Sequence, residues 1–145
     1  MLGRAYVRAF LHLRLPQLNF SLIAPTHTNT TQIQSINSFQ ALSNILQSQE
    51  PDKLVLIDFF SNWCPPCRLA LSALEKLATE FPDVDIISVD IEEVPKVVQH
   101  FDIHAVPKTL FFRNKERVGI ITGPNQNRLR RKIRELLQIV VPGKK

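Results

Sequence analysis

The sequence predicts an α/β fold: a central mixed β-sheet flanked on both faces by α-helices. Three observations carry this expectation. Short apolar runs alternate with stretches of helical periodicity. One run, Leu54 to Phe60, is apolar at every position but Asp58, as in a strand buried on both faces. The C-terminal third reads as a hairpin followed by a closing helix, which makes the sheet mixed rather than wholly parallel.

The elements follow in order. Gln32 to Ile36 reads as a short edge strand, and Asn37 or Ser38 caps a helix whose apolar face is Phe39, Leu42, Ile45 and Leu46. Leu54 to Phe60 is the central strand. Ala70, Leu71, Leu74, Leu77, Ala78 and Phe81 then recur at helical spacing until Pro82-Asp83 stops the helix. Ile86 to Ile91 is a second buried strand, and Pro95 starts a short helix reaching about Phe101. Thr109 to Phe112 and Arg117 to Ile121 form the hairpin, turning at Asn114-Lys115. Asn125 opens the last helix. Its inner stripe is Leu129, Ile133, Leu136, Leu137 and Val140, with Arg128, Arg130, Arg131, Lys132 and Arg134 on the other faces.

A chain of 145 residues, 44% of them hydrophobic, suffices for one domain of ordinary size and an extension. The net charge of +5 is unevenly placed: Arg4, Arg8 and Arg14 meet no acid before Glu50. An acid-free, Arg-bearing leader interleaved with Leu and Phe has the composition of a transit peptide. Residues 1–30 are therefore expected to be a mitochondrial targeting segment, cleaved or disordered, with delivery to the matrix; a cytoplasmic or plastid protein, or a tail without an address, are the alternatives. Arg8, His12 and Arg14 interrupt every candidate for a secretory apolar core, and no apolar run reaches membrane-spanning length. Residues 31–142 would then be the folded domain and 143–145 a tail. The five cations between Arg128 and Arg134 have no aromatic platform beside them, so they read as a solvated face or a docking surface for an acidic partner rather than a nucleic-acid site.

The chemistry is signalled by the only two cysteines, in Trp63-Cys64-Pro65-Pro66-Cys67, directly after the central strand and at the start of a helix. Cysteines separated by two residues at a helix start can close a disulfide within one turn, and the helix's unpaired N–H groups favour the first sulfur as thiolate. The competing reading, half of a structural zinc site, lacks ligands: the chain offers only His12, His27, His100 and His104 besides. No metal is expected. The four glycines, Gly3, Gly119, Gly123 and Gly143, form neither a dinucleotide fingerprint nor a phosphate loop.

From about Thr31 to Pro142 the chain resembles thioredoxin. The resemblance rests on Ile57-Asp58-Phe59-Phe60-Ser61-Asn62-Trp63-Cys64-Pro65-Pro66-Cys67, with an Asp six residues before the first cysteine, on Val106-Pro107 at the family's cis-proline corner, on Phe112-Arg113-Asn114 at its hairpin, and on Gly123 after the last strand. It implies the thioredoxin fold and a role for each residue. Cys64, exposed at the helix start, is the implied nucleophile and Cys67, more buried, the resolving thiol. Asp58 is the implied base for Cys67; on an apolar strand its pKa should rise toward neutrality, unless it is a strand-end residue facing solvent. Val106 and Pro107 would pair with an extended client segment, and Trp63 would be a contact surface or simple packing.

Departures from the family are equally specific. Pro65 replaces a glycine and, beside Pro66, stiffens the turn between the cysteines and removes a donor. Phe60 stands at a tryptophan position, Ser72 at that of a kinking proline, and Ser88 at that of a lysine that commonly pairs with the buried Asp. Lys108 follows the proline where threonine is usual, so it either adds a positive charge near Cys64 or is simply solvated. His100 and His104 could tune the site or be ordinary loop histidines.

The expected function is reduction of protein disulfides through a redox-active Cys64–Cys67 pair, without a bound cofactor. Electrons would come from a separate NADPH-dependent reductase of the thioredoxin-reductase type, and the partners would be that donor and disulfide-bearing clients of a monomeric protein. The alternatives are a disulfide oxidant or isomerase, and a redox-gated binding module with little turnover.

Overall fold

A computed structural model describes residues 33–138. The elements in chain order are β1 (Gln34–Ile36), α1 (Phe39–Gln47), β2 (Val55–Phe60), α2 (Pro65–Glu80), β3 (Asp85–Asp90), α3 (Pro95–His100), β4 (Lys108–Arg113), β5 (Glu116–Thr122) and α4 (Gln126–Gln138). They form one five-stranded sheet of order β1-β3-β2-β4-β5. β1, β3 and β2 are parallel, while β4 and β5 run antiparallel, so the sheet is mixed as expected.

β2 lies in the middle of that order. Its residues Val55 to Phe59 are buried, which is why the run reads as almost uniformly apolar. Alternation along the strands separates two cores. Val55, Ile57 and Phe59 join Ile87, Val89, Leu110 and Phe112 beneath Leu42 of α1 and Val97 of α3. Leu56 joins Ile86 and Phe111 beneath Leu74, Leu77 and Ala78 of α2 and Leu129, Ile133 and Leu136 of α4. By the same alternation Ser88, Asp58 and Thr109 belong to the α2/α4 face.

The helix ends have local causes. Ser38 is the cap of α1, its hydroxyl accepting the Ala41 N–H at 3.2 Å, which decides between the two candidate caps. Asn125 Oδ1 accepts the Arg128 N–H at 3.0 Å at the start of α4. Asn114 and Lys115 both adopt positive φ, 52° and 68°, at the turn between β4 and β5. Glu80 of α2 accepts hydrogen bonds from Arg130 (2.7 Å) and Arg134 (2.8 Å) of α4, joining the two helices over the sheet.

Several expectations need correction. β2 starts at Val55 rather than Leu54, and β3 spans Asp85–Asp90 rather than Ile86–Ile91, because Asp85 pairs with Val55 and the ladder closes at Phe60 and Asp90. Phe39 and Leu137, expected on buried stripes, are each 37% exposed. Phe39 is the first residue of α1 and Leu137 lies in the last turn of α4. Gln32, Val140, the proposed transit segment and the 143–145 tail lie outside the described residues.

Truncating Leu77, fully buried under α2, to alanine should cost about 2–5 kcal/mol of unfolding free energy. Ser38→Ala should cost about 1 kcal/mol through loss of the cap. Urea unfolding of the full chain measures both.

Candidate redox site

The site forms where β2 ends and α2 begins. Four residues carry the chain from Phe60 to the helix, and acidic groups at the end of β3 hold that passage. Asn62 Nδ2 donates to Asp90 Oδ2 at 2.6 Å, and Asp90 Oδ1 accepts the Glu92 N–H at 3.0 Å. Glu92 Oε1 in turn accepts from the Trp63 indole N–H and, at 3.4 Å, from the Ser61 hydroxyl. Trp63 is therefore pinned by its ring nitrogen while the residue as a whole remains 69% exposed.

Cys64 caps α2 and Pro65 and Pro66 fill its first turn. Proline suits those positions because their N–H groups would have no helical partner. The same two residues withdraw the first two amide donors from the helix start beside Cys64, and the Cys67 N–H is already donated to the Cys64 carbonyl at 3.1 Å. Cys64 and Cys67 form a disulfide with Cα atoms 5.3 Å apart.

Cys64 was expected to be exposed; in the disulfide it is only 4% exposed, nearly as buried as Cys67. The reason is a groove of about 420 Å³ whose walls close around it. Trp63, Pro65 and Pro66 stand on one side, Ile103, His104, Ala105 and Val106 on the other. Cys64 lines this groove and Cys67 does not, so the two sulfurs remain unequal in access although not in exposed area. The Val106-Pro107 peptide bond is cis and Pro107 is buried, with its carbonyl accepting the Gly123 N–H at 2.9 Å, which ties this corner to the end of β5.

Asp58 is completely buried on the α2 face of β2, not a solvent-facing strand end. Removal from water pushes its carboxyl pKa up to about 7, partly opposed by a hydrogen bond from the Thr109 hydroxyl to Oδ1 at 2.8 Å. Its other oxygen, Oδ2, accepts no hydrogen bond. In the strand register Ser88 lies beside Asp58 on β3 and Thr109 beside it on β4, so two hydroxyl residues flank the carboxyl. Ser88 was legible as a departure from the family. Thr109 was passed over as part of an apolar strand; only the register reveals that it faces Asp58.

Lys108 is not brought to the groove. It is half-buried on β4, one residue out of phase with Thr109, and so belongs to the α1/α3 face of the sheet. His104 does line the groove and contacts Asp102 Oδ1 at 2.6 Å, both side chains being largely exposed. His100 lies elsewhere, its ring edge-on to Phe39 and Phe101 at 5.2 and 4.8 Å. Among the described residues no group of three His, Cys, Asp or Glu could hold a metal ion.

Residues 31–135 match the family model described as Thioredoxin. The chain belongs to the thioredoxin family. It is 31% identical over 105 residues to thioredoxin from Oryctolagus cuniculus, covering 72% of this chain and 99% of that one. The structure superimposes on thioredoxin from Trypanosoma brucei brucei with a TM-score of 0.69 at 27% identity, covering 74% of this chain and 93% of the other. It is also 32% identical over 103 residues to a peptide-N(4)-(N-acetyl-beta-glucosaminyl)asparagine amidase from Caenorhabditis elegans, covering 71% of this chain but only 17% of the amidase.

A carboxyl that ionises near pH 7 when folded and near 3.8 when unfolded makes the native protein hold more protons between those values. Stability from this group is thus full below about pH 4 and is lost as pH rises through 7. In the oxidised protein, Asp58→Asn should remove that loss. The unfolding free energy of the variant minus that of the unaltered protein should rise by about 4 kcal/mol between pH 4 and pH 8. A difference independent of pH would contradict the raised pKa.

Proposed function

We propose that the protein reduces disulfides in other proteins by dithiol–disulfide exchange. The observation carrying this reading is a Cys64–Cys67 disulfide at a helix start, one cysteine opening onto an apolar groove faced by a cis proline, with a buried carboxyl on the sheet beneath the helix. Family membership supports the same chemistry.

In the reduced protein the Cys64 thiolate attacks one sulfur of a client disulfide seated in the groove. The client's S–S bond breaks, a mixed disulfide forms, and the first client thiolate leaves. Asp58 then takes the proton from the Cys67 thiol, and the Cys67 thiolate attacks Cys64 Sγ. The intramolecular disulfide forms, the second client thiolate leaves, and two electrons have passed to the client. Asp58 suits the step because a base titrating near 7 is ionised in part at neutral pH and accepts a proton readily. Trp63 and Val106 offer the contact surface, and Pro107 shapes its edge. Pro65 and Pro66 set the stiffness of the dithiol turn. Lys108 lies off the groove and takes no part in this reading.

The chain has no dinucleotide fingerprint, so the disulfide is returned to dithiol by a separate NADPH-dependent reductase, and no cofactor is held between turnovers. The protein works as a monomer. The Arg-rich, acid-free leader supports delivery to the mitochondrial matrix, with residues 31–142 as the working domain. Incubation of the full chain with energised mitochondria should yield a protease-protected product shortened by about thirty residues; a product of unchanged length outside the organelle would contradict this location.

Cys67→Ser should retain clients as mixed disulfides that dithiothreitol releases, whereas Cys64→Ser and the double variant should retain none. Client capture undiminished in the double variant would indicate noncovalent binding and contradict the exchange reaction.

A further inference from the structure

Asp58 is offered one hydrogen bond. The donor is the Thr109 hydroxyl, 2.8 Å from Oδ1, and both residues are at most 2% exposed. Oδ2 has no partner although it too is fully enclosed. A buried carboxyl with one fixed donor is not symmetric: the oxygen that accepts the hydroxyl proton is the poorer base, and its neighbour is where a further proton binds. The donor also fixes the plane of the carboxyl, because a second orientation would forfeit the bond.

We propose that Thr109 is a positioning residue for the exchange reaction, its hydroxyl holding Oδ1 of Asp58 so that Oδ2 is the oxygen that receives the Cys67 proton. The proposal rests on the reading of Asp58 as base. Thr109 touches neither client nor sulfur and acts through Asp58. In the resolving step the Cys67 S–H bond breaks, its proton passes to Oδ2, and the Cys67 thiolate forms the bond to Cys64 as the client thiolate leaves. When the disulfide is reduced again, the same proton returns to Cys67.

The surroundings leave few other groups to do this work. On the α2/α4 face Asp58 is flanked by Ser88 and Thr109, and the buried positions of α2, which covers this face, are Cys67, Ala70, Ala73, Leu74, Leu77 and Ala78. α4 contributes Leu129, Ile133 and Leu136. Among those buried positions Cys67 is the titratable one; at the end of β3 the Asp90 carboxylate is engaged by Asn62 and the Glu92 N–H, and on α4 Lys132 lies over Gly119 of β5 with its ammonium paired to Glu135. Burial opposes ionisation of Asp58, and the Thr109 hydroxyl is the group that favours it.

The test is a single-turnover measurement on the full chain. Reduced protein is mixed with 5,5′-dithiobis(2-nitrobenzoate), and the second release of thionitrobenzoate, which reports attack by Cys67 on the mixed disulfide, is followed from pH 5 to 9. Thr109→Val keeps the shape and removes the donor. It should move the rising limb of the rate up by about one pH unit and slow release about tenfold on that limb. Thr109→Ser should restore both, which a purely structural role would not require. Asp58→Asn should abolish the limb. A Thr109→Val profile that coincides with the unaltered protein, while Asp58→Asn abolishes the limb, overturns the positioning role and leaves Asp58 as base. A limb unchanged in Asp58→Asn overturns the base assignment and this proposal with it. If Thr109→Val unfolds, a Thr109→Ser profile set against Thr109→Ala decides the matter by the same criterion.

Discussion

The burial of β2 on both faces is the constraint from which the site follows. A strand in the middle of a sheet has no side turned to water, so any polar residue on it must be held by its neighbours or lose its charge. Asp58 is that residue. Its enclosure costs stability at neutral pH and raises its pKa into the range where a carboxyl can exchange protons with a thiol. The same strand fixes the position of the site, since it ends four residues before α2 and places Cys64 just beyond the end of the central strand and Cys67 in the first turn of the helix that covers its α2/α4 face.

Around the dithiol, the chain replaces charge and amide donors with rigid or uncharged groups. Pro65 and Pro66 shape the first turn of α2 and take two amide hydrogens away from it. Ser88 and Thr109 flank Asp58 where the family commonly provides a lysine on one side. Lys108 is on the opposite face of the sheet from Asp58, and Arg130 and Arg134 are engaged by Glu80. The negative charges nearest the dithiol, Asp90 and Glu92, bind the Ser61-Asn62-Trp63 passage rather than the sulfurs, and so hold the loop in place. For Asp58, removal from water outweighs the hydrogen bond from Thr109.

Much of this was legible in the sequence where a local pattern has one physical cause. The run from Leu54 to Phe60 announced a two-sided buried strand, and the cysteine pair at its end announced a disulfide at a helix start. Pro107 was placed by resemblance to the family. What sequence did not reveal depends on register or on walls supplied by distant segments. Thr109 lies fifty-one residues from Asp58 in the chain, and in the string Thr-Leu-Phe-Phe nothing distinguishes a hydroxyl facing a carboxyl from one facing solvent. Cys64 looked exposed because a helix start usually is, but the loop around His104 and Val106 comes from another part of the chain to enclose it. Lys108 follows the cis proline, yet it does not line the groove, and strand alternation puts it on the opposite face of the sheet from Asp58.

The most direct test is the equilibrium reduction potential of the Cys64–Cys67 pair in the full chain, set against glutathione and dithiothreitol buffers and followed by turnover with a thioredoxin reductase. The account predicts a strongly reducing pair, near the roughly −270 mV of thioredoxins, that the reductase recharges. A potential near roughly −180 mV, as in disulfide isomerases, with no turnover by the reductase, would contradict it.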